Sequence, residues 1–171
     1  NLTTKTKILP LFEQYLPEGY FPFAKDIERE TLVPRLIQII NTVLESDLAF
    51  SENYSASNIR KIKKLLGVIA ETAPFEPNIS KIADRLQIGR NSVYDYLGNL
   101  HDALVLQLLR KPGRGISKLQ KPDKIYIENT GFIYALQGNP EKGSLRETFF
   151  KKKKKNGGYQ IEISPDRSDF L

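Results

Sequence analysis

The sequence predicts a mostly helical α+β fold, with N-terminal helices, then a winged helix-turn-helix, then an incomplete α/β unit. Three observations carry that prediction. Apolar residues recur at helical spacing through most of the chain up to Leu104. Two of these stretches are separated only by Gln87-Ile88-Gly89, the tight turn of a helix-turn-helix. The periodicity then switches from 3.6 to 2.0 near Leu104 and again near Lys124.

The elements follow in order. Thr6 to Leu16 places Leu9, Phe12, Tyr15 and Leu16 on one face of a short helix, stopped by the aromatic turn Gly19-Tyr20-Phe21-Pro22-Phe23. A second helix is expected from Thr31, as its cap, to Glu45. Pro34 lies near its first turn, and Leu36, Ile37, Ile40, Val43 and Leu44 form its apolar stripe. Ser51 to Asn58 is polar and aperiodic, and reads as a linker. The third helix, Ile59 to Ala73, turns Ile59, Ile62, Leu65, Leu66 and Ile69 inward and Arg60, Lys61, Lys63 and Lys64 outward. Asn78 caps a helix over Ile79 to Leu86, and a further helix runs from Arg90 to about Leu104, burying Val93, Leu97 and Leu100. Val105 to Leu109 reads as a strand that leads into a wing at Arg110 to Gly115. Lys124 to Glu128 is a second alternating strand and Thr130 to Leu136 a short helix. A last helix starts at Ser144 and runs into Lys151 to Lys155, and Tyr159 to Ile163 reads as a strand. The lysine run itself reads as solvated and mobile, with an anion-binding tract as the alternative.

Composition removes several classes of function. The chain has 171 residues, of which 40% are apolar and 27% charged, the profile of one globular domain or two small ones. No segment approaches the ~20 apolar residues of a membrane span, so no membrane partner and a cytoplasmic location are expected. The absence of cysteine excludes disulfides, thiolate metal sites and cysteine nucleophiles. A single histidine, His101, makes a Ser-His-Asp triad or a histidine-rich metal centre hard to build. The chain opens on Asn1 and has no methionine, so a trimmed piece of a longer protein is expected. Ala103 is followed directly by Leu104, one residue short of the usual end of such a helix. A further residue, a methionine, is expected between them.

Charge is unevenly placed. Residues 1–50 carry a net charge of −2, residues 51–127 a net of +6 and residues 128–171 a net of +2. A basic excess confined to this middle unit suggests a polyanionic partner such as nucleic acid, duplex DNA included, the alternative being a solvated basic face. In a winged helix the second helix of the pair offers its N-terminal residues to the major groove, and the wing reaches the phosphates. The base- and phosphate-contacting candidates are therefore Arg90, Asn91, Ser92 and Tyr94, with Arg110, Lys111, Arg114 and Lys118 on the wing. Asp95 on the same helix opposes this reading, and the module also serves as a docking or hinge unit in other proteins.

Five motifs stand in a fixed order: Leu11-Phe12-Glu13-Gln14-Tyr15-Leu16, Gly19-Tyr20-Phe21-Pro22-Phe23, Asn78-Ile79-Ser80-Lys81-Ile82-Ala83, Lys121-Pro122-Asp123-Lys124-Ile125-Tyr126 and Leu145-Arg146-Glu147-Thr148-Phe149-Phe150. In this order they resemble the C-terminal half of prokaryotic AAA+-type P-loop ATPases that end in a restriction-endonuclease-like domain of unassigned function. The resemblance implies the end of the ATPase helical lid at 1–50, a winged helix at 55–119 and the start of the C-terminal α/β domain at 120–171. It also implies a P-loop domain of the same chain as a partner, with ATP and magnesium as the parent's cofactors and ATP hydrolysis as its activity. This stretch has no G-x-x-x-x-G-K-[ST], so no cofactor and no ATPase activity are assigned to it. The endonuclease-like resemblance makes Glu147 the helix acid and Asp169 the strand acid of a metal site, with the partner Glu-x-Lys strand past Leu171. Asn129 stands where many relatives carry an acid. Without that chemistry, Glu147 pairs with Arg146 or Lys151 and Asp169 caps a strand. His101 reads as a helix-surface or partly buried residue, since the chain has no second nitrogen or sulfur ligand.

The expected function is a nucleic-acid-binding or regulatory module of an ATPase. The alternatives are a fragment of a metal-dependent nuclease-like domain, or a scaffold for docking and self-association.

Overall fold

Leu32, Leu36, Ile40, Leu44 and Leu48 repeat every fourth residue, and all five are buried. An ideal helix advances 3.6 residues per turn, so a strict four-residue repeat would drift around its surface. The chain absorbs the drift by widening. Helix α2 (Arg29–Thr42) passes into one π-helical stretch at Val43–Asp47 and then into α3 (Leu48–Ser51), which keeps Leu48 on the buried side. The expected end at Glu45 is thus corrected, and Ile37, expected inside, is 40% exposed. Thr31 is not the cap: α2 begins at Arg29 after Glu28, and the Thr31 hydroxyl donates to the Glu28 carbonyl at 2.8 Å.

This computed structural model describes residues 8–52, 54–110 and 121–156. Helix α1 (Ile8–Glu18) continues two residues beyond its expected end and ends at Gly19, which takes a left-handed φ of 66°. A Cβ at Gly19 would lie 1.9 Å from Asn129 Oδ1, so only glycine lets the two segments meet. Helix α4 (Ala56–Thr72) starts earlier than expected because Ser55 caps it, accepting from the Asn58 N–H at 3.3 Å. Ser55 therefore serves in what the sequence reads as a linker.

Helix α5 (Ile79–Leu86) has the expected bounds, with Asn78 Oδ1 accepting from the Lys81 N–H at 3.0 Å. Gln87 takes φ 53° and Ile88 N–H returns to the Ala83 carbonyl, closing the turn into α6 (Arg90–Asp102). Val93, Leu97 and Leu100 are buried as expected, and Tyr96 joins them. Where the sequence pattern runs one residue short, Leu104 takes φ 56° and is 58% exposed, and Val105 N–H donates to the Leu100 carbonyl at 2.9 Å.

Strand β1 (Leu106–Leu109) pairs antiparallel with β2 (Lys124–Ile127), Leu106 opposite Ile127 and Leu109 opposite Lys124. Phe75, between α4 and α5, adds a bridge to Ile125 on the other side of β2. The order helix, bridge, helix, turn, helix, strand, strand is that of a winged helix-turn-helix, with β2 as the return strand. Helices α7 (Thr130–Gln137) and α8 (Lys142–Asn156) follow. One hydrophobic core takes residues from all three expected segments, from Leu16 through Leu65, Leu97 and Ile133 to Leu145. The fold is mostly helical α+β, and no described helix is long and apolar enough to cross a membrane.

Candidate nucleic-acid interface

The buried faces of α5 and α6 pack on each other and on α4 and β1, which leaves the N-terminal turn of α6 facing out. Arg90 and Asn91 are exposed, while Ser92 and Tyr94 are half-buried. Gly89 precedes them in an extended conformation (ψ 150°) and brings no side chain to cap the helix. The first backbone N–H groups of α6 are thus offered beside a guanidinium and a carboxamide, a combination suited to phosphate oxygens and base edges. Arg110, at the end of β1, is half-buried. Lys111, Arg114 and Lys118 lie outside the described residues, as does the wing tip they would occupy.

Further along α6 the surface changes sign. Asp95 and Asp102 are exposed, and Arg90 is the only arginine or lysine of the helix. On α4, Arg60 and Lys64 are exposed, and Lys63 pairs with Glu45 of the π-helical stretch. The far end of α6 is anchored: Asn99 Nδ2 donates to the Tyr54 hydroxyl at 2.6 Å, and the Tyr54 ring meets Tyr96 edge-on at 5.6 Å. Burial first, then the negative charge of Glu52 and the neighbouring Tyr96 and Asp95, push the Tyr54 phenol up to about 12. His101 is half-buried with Nδ1 3.1 Å from the Leu106 carbonyl oxygen, a contact within the α6–β1 turn.

A second polar assembly lies where α8 meets β2. Lys124 and Tyr126 alternate on one side of the strand, and both reach Glu147 Oε1, Lys124 Nζ at 2.5 Å and the Tyr126 hydroxyl at 2.7 Å. Lys151, one turn along α8, places its ammonium 3.6 Å from the Tyr126 ring centroid, and Lys152 pairs with the buried Glu128. The lysine run is therefore not a solvated tract at its start: Lys151 is 4% exposed. Glu147 Oε1 is held by two groups on β2, Lys124 and Tyr126, and not by Arg146 of its own helix. Asp169 and the strand Tyr159 to Ile163 lie outside the described residues. Asn129 caps α7, its Oδ1 accepting from the Gly131 N–H at 2.7 Å. Sequence reasoning missed the assembly, although a signal existed: Lys124, Tyr126 and Glu128 at period two face Glu147 and Lys151 at helical i, i+4 spacing. No group of three or more His, Asp or Glu able to hold a metal occurs among the described residues.

A family model described as Domain of unknown function (DUF8612) matches residues 9–143. No curated protein and no solved structure matches the chain.

Proposed function

The chain belongs to this DUF8612 family, whose description assigns no role, and from its own surfaces we propose that it is a nucleic-acid-binding module acting through its winged helix. The observation that carries the reading is the exposed, side-chain-uncapped start of α6 with Arg90 and Asn91 upon it. Arg90 offers a bidentate fork to guanine or phosphate, Asn91 a donor–acceptor pair for adenine, and the free N–H groups an anion site. Lys111, Arg114 and Lys118 would supply phosphate contacts from the wing. The order of motifs further supports a place in a larger AAA+-type ATPase, where the P-loop domain would hydrolyse ATP and this module would engage DNA.

Fluorescence anisotropy with a labelled duplex, titrated at several salt concentrations, tests the proposal. Binding should weaken steeply with salt, and Arg90→Ala should reduce the log–log slope by about one. Absence of duplex binding at low salt would overturn the reading. A docking or self-association role would then take its place, favoured by the exposed apolar residues Ile8, Leu9 and Leu11 on α1. The nuclease-like alternative gains no support at Glu147, whose Oε1 serves Lys124 and Tyr126.

A further inference from the structure

Between the end of α1, the start of α7 and the middle of α8 lies a cavity of about 70 Å³. Tyr15 and Tyr20 line it from one side, Glu128 from the floor, and Thr148, Lys152 and Lys153 from α8. The floor is polar and sealed, with Glu128 2% and Thr148 3% exposed. Glu128 pairs with Lys152, yet its Oε2 and the Thr148 hydroxyl meet no hydrogen-bond partner among the described residues. Asn129 Nδ2 is a third such group in the lining; buried polar atoms are almost always partnered in folded proteins, so three unmet ones around one cavity point to an occupant. Lys153 is exposed at the cavity, its Nζ 5.7 Å from the Phe149 ring centroid, and pairs with no carboxylate among the described residues. With Glu128 balanced by Lys152, the lining is left with one positive charge.

An occupant that matches this lining is small, anionic toward Lys153, and able to donate one proton to Glu128. A water requires roughly 10–15 Å³ by this measure, so the cavity takes a few waters or one small polyatomic ion but no nucleotide. We propose that it binds free inorganic phosphate in the monohydrogen form. Bare phosphate oxygens accept from the Thr148 hydroxyl and the Lys153 ammonium, and the P–OH donates to Glu128 Oε2. An ionised carboxylate only accepts, so it rejects an anion that arrives without a proton. Monohydrogen phosphate keeps its proton across the neutral and mildly alkaline range. Sulfate and phosphomonoester dianions have none to give. This assignment is independent of the nucleic-acid reading.

The experiment is isothermal titration of the whole chain at pH 8 with inorganic phosphate, sulfate, phosphoserine and AMP in turn. Saturable binding of phosphate is expected, with sulfate and both phosphomonoesters weaker by about tenfold or more, the effect of one hydrogen bond to a charged group. Thr148→Val, which keeps the side-chain shape, should weaken phosphate binding by about tenfold. Glu128→Gln, whose amide can donate, should let sulfate bind as well as phosphate. If that variant unfolds, Thr148→Val still decides. No saturable phosphate binding, equal affinity for sulfate, tighter binding of a phosphomonoester, or an unimpaired Thr148→Val would each overturn the assignment.

Discussion

Asn99 Nδ2 donates to the Tyr54 hydroxyl across 2.6 Å, joining the residue before the Ser55 cap of α4 to the C-terminal half of α6. Loss of this bond in Tyr54→Phe should cost about 1 kcal/mol in urea unfolding at neutral pH. The same phenol makes stability depend on alkaline pH. Its folded value, about 12, lies above the ordinary 10.0, so the fold favours the protonated form. That contribution is complete below pH 10.0 and is lost as pH rises toward about 12. Tyr54→Phe should flatten this part of the stability profile; an unchanged profile would show that Tyr54 does not cause it.

Gln87 occupies the left-handed region at φ 53° and is exposed, at the turn between α5 and α6. Glycine adopts this geometry without a Cβ penalty, so Gln87→Gly should stabilise the chain by about 1 kcal/mol. In a domain of this size that corresponds to a Tm higher by about 2–4 °C. Calorimetry showing a lower Tm would mean that the Gln87 side chain holds the turn by a contact worth more than the strain.

Asp95 is exposed one turn along α6 from Asn91. A carboxylate facing duplex DNA repels phosphates but can accept from the cytosine amino group. Asp95→Asn should therefore tighten binding to random-sequence duplex by roughly threefold to tenfold and reduce discrimination among sequences. A selection experiment on a randomised duplex pool measures both. Unchanged affinity and unchanged preference would place Asp95 away from the groove.

Glu147 holds α8 to β2 through Lys124 and Tyr126. Glu147→Ala should cost about 1–3 kcal/mol, because the half-buried Lys124 ammonium and the buried Tyr126 hydroxyl lose this acceptor. Hydrogen exchange should rise in α8 before it rises in α4. The charge reversal Lys124→Glu with Glu147→Lys should recover part of the loss; a double variant as weak as the single would deny the pair any specific role.

The sequence displays helices best where a cap and a stripe coincide. Asn78 with Ile79, Ile82 and Ala83 gives α5 its bounds to the residue, because cap and periodicity are both local signals. The joint at Thr42–Leu48 was less visible. The stripe ending at Leu44 looks complete, and the π-helical widening that carries it on to Leu48 leaves no composition signature. Strand pairing was hidden for another reason. Lys124 to Ile127 reads as a strand by itself, but its pairing with Leu106 to Leu109 depends on loop closure and on the Phe75 bridge, which are non-local. In the candidate site, the exposure of Arg90 and Asn91 is legible from their place after a helix-turn-helix turn. The lysine run was misread because a row of identical cations looks solvated until its acids and rings, Glu128 and Tyr126, are set beside it.

Helix α8 has few apolar residues to fix its position, since Leu145, Phe149 and Phe150 are followed by five lysines. The lysines by themselves do not set the register, since one ammonium can take another's place against Tyr126 and Glu128. Glu147 removes that freedom. One turn of slippage would bring either Gly143 or Lys151 opposite Lys124, trading an attraction for an empty place or a repulsion. A single acid thus acts as an index mark on an otherwise repetitive scale, and α8 has one seating instead of several.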